Sequence, residues 1–254
     1  MTEHVAGHDV PICLPDGLTT QQLQEFKPFN ANPYALRSVT VQAYDLFGGS
    51  RIGFIKLTAS VSNSAGETLP AAALLRGPSV AMLVMLVPDD ATDDDERYVV
   101  FTVQPRIPAG SLGFVELPAG MVDDAGTFKG AAAKEMEEEL GITISEEELV
   151  CLSELAAGEE GDGGEEGEGE NLAPAMFPSA GGCDEHVTLY SYERKVSRSE
   201  LQSWSGRLTG LRDHGEKITL KIVPMREAWR EGARDAKALG ALALWQGLRG
   251  EGKV

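Results

Sequence analysis

The stretch that decides the fold is Leu117-Pro-Ala-Gly-Met-Val-Asp-Asp-Ala-Gly-Thr-Phe-Lys-Gly-Ala-Ala-Ala-Lys-Glu-Met-Glu-Glu-Glu-Leu-Gly-Ile142. Thr127 is a good N-cap and Gly141 a good residue to follow a helix end, so the spacing predicts a helix between them. Ala132, Met136 and Leu140 recur every four residues and would face a core. Glu135, Glu138 and Glu139 stand at i, i+3 and i+4, so an α-helix would gather them on one face. Three like charges held together repel one another, and a divalent cation relieves that repulsion. Hard oxygen donors of this kind suit Mg²⁺ or Mn²⁺. An acidic helix face alone reads as solvated surface. The glycine turn ahead of the helix is what changes the reading.

That framing resembles the Nudix box: glycine, five residues, Glu, seven residues, then Arg-Glu-x-x-Glu-Glu-x-Gly and an aliphatic residue. Gly120, Glu135, Glu138, Glu139, Gly141 and Ile142 fall in register. Gly126 stands where the family usually has Glu, and Lys134 where it usually has Arg. In the family those two side chains commonly pair to brace the loop, so both partners of one contact are missing together. Asp123 or Asp124 could brace the loop through Lys134, more loosely, because Lys cannot form the two-pronged bond of a guanidinium.

Outward from the box, Leu75-Arg-Gly-Pro-Ser-Val-Ala-Met-Leu-Val-Met-Leu86, Gly113-Phe-Val-Glu-Leu-Pro-Ala-Gly120, Pro178-Ser-Ala-Gly-Gly-Cys-Asp-Glu185 and Gly210-Leu-Arg-Asp-His-Gly-Glu-Lys-Ile218 look like landmarks of the ADP-sugar and ADP-ribose diphosphatase branch. They are most similar to its plant and fungal ADP-sugar diphosphatase type. The resemblance implies an α+β fold, an α/β/α sandwich with a mixed sheet. It also implies an N-terminal β lobe that builds a homodimer, for which residues 38–75 are suited. Residues 1–37 would be an extension and 76–250 the Nudix domain.

The same resemblance implies site residues. Glu135 and Glu139 match metal ligands, Glu138 a second-site ligand with a catalytic part, and the Ala119 carbonyl a backbone ligand. Glu216, beside Gly215 in a loop, is the candidate general base that takes a proton from the attacking water, with Glu185 as its rival. Arg76, Arg106 and Arg212 could hold phosphates. Gly181 and Gly182 would let the backbone approach the ligand, and Asp184 and Glu185 could meet sugar hydroxyls. Phe114 and Tyr190 could stack on adenine. The activity implied is Mg²⁺-dependent (Mn²⁺ possible) cleavage of ADP-ribose or ADP-glucose to AMP and a sugar phosphate. Two other readings stay open: a Nudix enzyme for another nucleotide sugar such as a GDP-sugar, and a non-catalytic nucleotide-binding module.

Bulk properties bound these readings. The 254 residues carry a net charge of −18 and are 42% hydrophobic. Such a chain has the material for a sizeable core, and it repels nucleic acid and anionic membrane surfaces. Cys13, Cys151 and Cys183 are unevenly spaced, which reads as reduced thiols in a cytoplasmic compartment. The N-terminus reads as neither signal nor transit peptide. His4 and His8 have helical spacing but lie in what reads as a terminal tail.

Several further elements are expected. A helical turn is predicted at Thr19–Phe26. A hairpin spans 38–60 around Phe47–Ser50, with its second strand at Arg51–Ala59. Strands are expected at Val80–Val87, Arg97–Gln104, Phe114–Leu117, Leu149–Leu155, Val187–Glu193 and Lys217–Val223. An amphipathic helix at Lys237–Leu248 offers Leu239, Leu242, Leu244 and Trp245 to the core. Trp204 and Trp229 read as packing residues. The Gly, Glu and Asp run of Glu154–Asn171 cannot bury enough surface to offset its ordering entropy, so 156–171 reads as a disordered insertion.

Overall fold

The computed structural model describes residues 2–5, 8–15, 17–19, 21–22, 36–49, 51–62, 67–69, 71–93, 95–122, 127–158, 172–210 and 217–254. The chain divides into two compact units, Met1–Pro78 with Ser179–His186, and Ser79–Pro178 with Val187–Val254.

The first unit is a β sheet. Its strands are β1 (Thr2–Val5), β2 (His8–Cys13), β3 (Leu36–Phe47), β4 (Arg51–Ser62), β5 (Thr68–Leu69) and β6 (Ala72–Leu75), in the order β1-β2-β3-β4-β5 with β6 also paired to β4. β3 and β4 form the expected hairpin, turning through Gly48 and Gly49, both at positive φ. Their alternating residues Val39, Val41, Ile55 and Leu57 make the core with Ile12, Leu36 and Leu75. One expectation is corrected. His4 and His8 sit on neighbouring antiparallel strands, with Val5 opposite His8, so their helical spacing has no helix beneath it. The turn expected at Thr19–Phe26 is helical at Gln21–Gln22, capped by Thr19 Oγ1 accepting from Gln22 N at 3.2 Å; its remainder lies outside the described residues.

The second unit is built around β7 (Ser79–Pro88), which is apolar from Val80 onward. Period-two alternation sends Val80, Met82, Val84 and Leu86 into one core and Ala81, Leu83 and Met85 into another. A strand buried on both faces needs a helical layer on each. β7 pairs in parallel with β12 (Val187–Val196) and antiparallel with β8 (Tyr98–Arg106), so the sheet is mixed. The sheet also takes in β9 (Ser111–Glu116), β10 (Ala119–Met121), β11 (Val150–Cys151), β13 (Leu208–Thr209) and β14 (Ile218–Pro224), and its main path runs β11-β12-β7-β8-β14-β13. On one face lie α1 (Phe128–Glu135) and α3 (Arg198–Trp204); on the other lie α2 (Leu152–Ala157), α4 (Met225–Glu231) and α5 (Ala236–Gly250). This is the expected α+β sandwich.

Three details depart from expectation. The segment Leu149–Leu155 is strand only at Val150–Cys151; Leu152–Ala157 is the helix α2, which includes Glu154 from the run read as disordered. Leu152 is fully buried, and Ser153 Oγ accepts from Leu189 N on β12 at 2.9 Å, so α2 is held by the sheet it covers. Residues 159–171 of the insertion lie outside the described residues. In α5, Leu239 is exposed while Ala238, Ala241, Leu242, Trp245 and Leu248 are buried. Trp204 is buried as expected, but Trp229 is 53% exposed, with the Arg230 guanidinium 4.9 Å from its ring.

Candidate functional site

The box helix starts as its sequence dictates. Thr127 Oγ1 accepts from Gly130 N at 2.9 Å and donates to Glu146 Oε2 at 3.1 Å. Ala132, Met136 and Leu140 are fully buried against β7. The last turn, Met136–Leu140, is π rather than α. Spacing of four residues drifts around a helix of 3.6 residues per turn, and a wider turn brings Leu140 back beneath Ala132. The turn that carries Glu138 and Glu139 is therefore wider than the α turn from which their shared face with Glu135 is expected. Gly141, at φ +68°, ends the helix and donates to Glu137 O at 3.0 Å, and Ile142 N reaches back to Met136 O at 3.2 Å.

Glu138 and Glu139 have different surroundings. Glu139 is only 3% exposed, and its Oε2 accepts from Ala119 N at 3.1 Å. Glu138 is half-buried, with Lys134 Nζ 3.8 Å from its Oε1. Glu135 ends α1, and its side chain lies outside the described residues, as do Asp123, Asp124 and Gly126. Among the described residues no three His, Cys, Asp or Glu side chains form a ready-made metal cage.

Ala119 lies where strand pairing turns its backbone toward Glu139. Pro118 O accepts from Met82 N at 3.0 Å, while Ala119 stands opposite Ala81. Bonded and non-bonded pairs alternate in an antiparallel ladder, so at Ala119 both N–H and C=O point away from β7. The N–H meets Glu139, and the carbonyl leaves the strand on that same side. A buried carboxylate next to an outward carbonyl, with Glu138 on the same turn, is a hard oxygen donor set that fits Mg²⁺ or Mn²⁺.

Arg106, at the end of β8, bonds through Nε to Glu116 Oε1 at 2.6 Å. Glu116 is 3% exposed, and its Oε2 accepts from Lys237 Nζ at 3.0 Å. Lys237 also donates to Asp235 Oδ1 at 2.9 Å, and Asp235 Oδ2 accepts from Leu117 N at 2.9 Å. Burial alone would lower the pKa of Arg106, but Glu116, aided by Glu139 and Asp235, holds it above its ordinary value. Burial likewise opposes the charge on Lys237, and Asp235 and Glu116 outweigh it, raising its pKa above the ordinary 10.5. Stability from a raised pKa is complete below the unfolded value and lost as pH climbs through the folded one. The gap in urea midpoint between wild type and Lys237→Met is therefore expected to stay constant from neutral pH up to 10.5 and to narrow above it. A gap that closes below that pH would rule out this role for the ammonium.

Of the other predicted residues, Arg76, Gly181, Gly182, Asp184 and Glu185 fall in the first unit. Arg76 Nη1 pairs with Glu185 Oε1 at 3.0 Å. Asp184 Oδ1 accepts from Arg76 N at 2.7 Å and from Gly77 N at 3.4 Å, so this carboxylate organises the backbone. Gly182 O accepts from Leu74 N at 2.9 Å, docking the Gly181-Gly182 turn on β6. A Cβ on either glycine would meet nothing within 4 Å, so no packing contact requires glycine there. Arg212 and Glu216 lie outside the described residues. Tyr190 is 1% exposed in the core beneath the box helix, which corrects its expected role as an adenine platform. Phe114 is half-buried on β9. Sequence reasoning missed Glu116, Asp235 and Lys237. The Glu-Leu-Pro-Ala-Gly run was a signal for the first, but nothing local pairs it with the start of α5.

The NUDIX domain sequence model matches residues 80–242. The chain belongs to the Nudix family. Nudix hydrolase 14, chloroplastic, of Arabidopsis thaliana is 38% identical over 221 residues, covering 86% of this chain; the chain spans 65% of that relative's length. A crystal structure described as an ADP compounds hydrolase shares 18% identity with a TM-score of 0.46, covering 87% of this Nudix chain and 99% of that one. Among the described residues no helix is long and apolar enough to cross a membrane.

Proposed function

We propose that this Nudix protein hydrolyses the diphosphate of ADP-sugars, ADP-ribose and ADP-glucose among them, to AMP and a sugar phosphate. The observation that carries the proposal is Glu139: a buried carboxylate bonded at 3.1 Å to Ala119 N, inside a box whose glycines and glutamates keep their family spacing. Burying a carboxylate is costly unless a cation or donors compensate it. Glu139, Glu135, Glu138 and the Ala119 carbonyl would hold Mg²⁺ or Mn²⁺. When bound, the ion would neutralise diphosphate charge and acidify water.

The chain's own residues do the rest. Arg106 offers its guanidinium to a phosphate oxygen, and Arg76 and Arg212 are proposed for the same task. Glu185 and Asp184 are proposed to meet the sugar, with Gly181 and Gly182 giving the ligand room. Glu216 takes the proton as water attacks one phosphorus and the bridging P–O bond breaks. The adenine preference rests on the resemblance of the Pro178–Glu185 and Gly210–Ile218 segments. A homodimer built on the N-terminal β lobe, and a reducing compartment such as the cytosol, complete the proposal; all three cysteines are unpaired thiols.

The test is AMP release from ADP-ribose and ADP-glucose with Mg²⁺, run beside GMP release from GDP-glucose. Turnover of the ADP-sugars at least tenfold above GDP-glucose is expected. The reverse order would move the assignment to another nucleotide. No turnover with any of them, and no Mg²⁺ binding by calorimetry, would leave a non-catalytic module.

A further inference from the structure

Among the described residues the Arg106 side chain is held at one nitrogen, Nε. Its Nε bonds to Glu116, and among the described residues neither Nη has a hydrogen-bond partner, although the side chain is 43% exposed rather than fully solvated. Glu116, which holds it, lies three residues before Ala119, whose N–H meets Glu139 at 3.1 Å. A guanidinium tethered at Nε cannot rotate freely about its last bonds, which fixes the direction of its two outer nitrogens. A fixed fork is what binding two oxygens of one phosphate requires.

The tether is itself held. Glu116 is at the end of β9 and would be a buried anion with a choice of orientations. Lys237, 18% exposed, takes its other oxygen, and Asp235 holds Lys237 from the start of α5. Asp235 also bonds to Leu117 N, two residues before Ala119 in sequence. The chain Asp235–Lys237–Glu116–Arg106 therefore runs from the N-terminus of the C-terminal helix to the guanidinium, with each step at 2.6–3.0 Å.

We propose that Glu116 and Lys237 are positioning residues, which aim Arg106 at a diphosphate oxygen and so make the C-terminal helix part of the substrate site. This rests on the diphosphatase reading above. Neither residue touches the ligand; both act through the guanidinium. Their effect on binding should vanish once Arg106 is gone.

The experiment is a double-mutant cycle read by equilibrium binding, without turnover. The probes are the methylene-bridged analogue of ADP-ribose and inorganic pyrophosphate, with Mg²⁺, by titration calorimetry. Glu116→Gln keeps size and removes charge. It is expected to raise Kd about tenfold, and Arg106→Ala about thirtyfold. Glu116→Gln/Arg106→Ala is expected to match Arg106→Ala alone. Lys237→Gln should weaken binding about fivefold, and Lys237→Arg should restore most of it. Melting curves show that each variant is folded; if Glu116→Gln is not, the Lys237→Gln cycle with Arg106→Ala replaces it. Additive penalties, or a Kd unmoved by Glu116→Gln, overturn the proposal while leaving the diphosphatase reading intact. Coupling seen with pyrophosphate when the analogue does not bind supports the positioning role and removes the ADP-sugar reading. If wild type binds neither probe, Arg106 has no anion to be aimed at and both fall.

Discussion

Glu139→Gln is expected to lower kcat/KM for ADP-ribose by about three orders of magnitude, or about 4 kcal/mol of transition-state stabilisation. The substitution keeps the side chain's length and volume, so Met136 and Leu140 stay packed against β7. It removes the negative charge that a cation would use. A glutamine carbonyl can still accept from Ala119 N, which Glu139 Oε2 does at 3.1 Å. The packing of the box loop on the helix therefore survives, and Tm in EDTA should match wild type or exceed it, because a carboxylate only 3% exposed is costly without a cation. Added Mg²⁺ should raise the Tm of wild type and not that of the variant, since an ion that binds only the folded state stabilises it by mass action. Turnover that survives the substitution would remove Glu139 from the metal site, whatever the substrate proves to be.

Leu140→Ala is expected to destabilise the second unit by about 3 kcal/mol, a fall in Tm of roughly 6–12 °C. Leu140 is fully buried and ends the π turn, in a cluster with Met82, Val84 and Met136. Removing it leaves a cavity that a β7 packed on both faces cannot collapse to fill. Glu139 precedes it directly, so Mg²⁺ affinity should fall as well, though less than in Glu139→Gln. Thermal melts with and without Mg²⁺ separate the two effects. A Tm within 2 °C of wild type, the shift expected from less than about 1 kcal/mol, would mean that Leu140 is not holding this turn.

The elements that could be read from sequence are those whose signal is local. Thr127, Gly141 and the four-residue spacing of Ala132, Met136 and Leu140 delimit the box helix. The unbroken apolar run at 80–87 marks the central strand, and Gly48-Gly49 marks the hairpin. The π turn was not legible, since i, i+4 spacing suits either helix type until the packing surface is known. Leu149–Leu155 was misread because its short apolar start, Leu149-Val-Cys-Leu152, does not by itself distinguish strand from helix. The core role of Tyr190 depends on which face of β12 the box helix covers, a tertiary fact. At the site, the carboxylates could be read from their spacing. The partners of Arg106 could not, because Lys237 and Glu116 are 121 positions apart and meet only when α5 lies against the sheet.

The parallel ladder between β7 and β12 joins Ser79 to Val187 and continues to Pro88 and Val196. Forming it closes a loop of roughly a hundred residues, at an entropic cost that grows only as the logarithm of loop length. The Gly, Glu and Asp run lies inside that loop. Shortening it by a dozen residues would change the closure cost by only about 0.1 kcal/mol. Chain-closure entropy therefore leaves the length of this insertion almost unconstrained, and so open to change without loss of the fold.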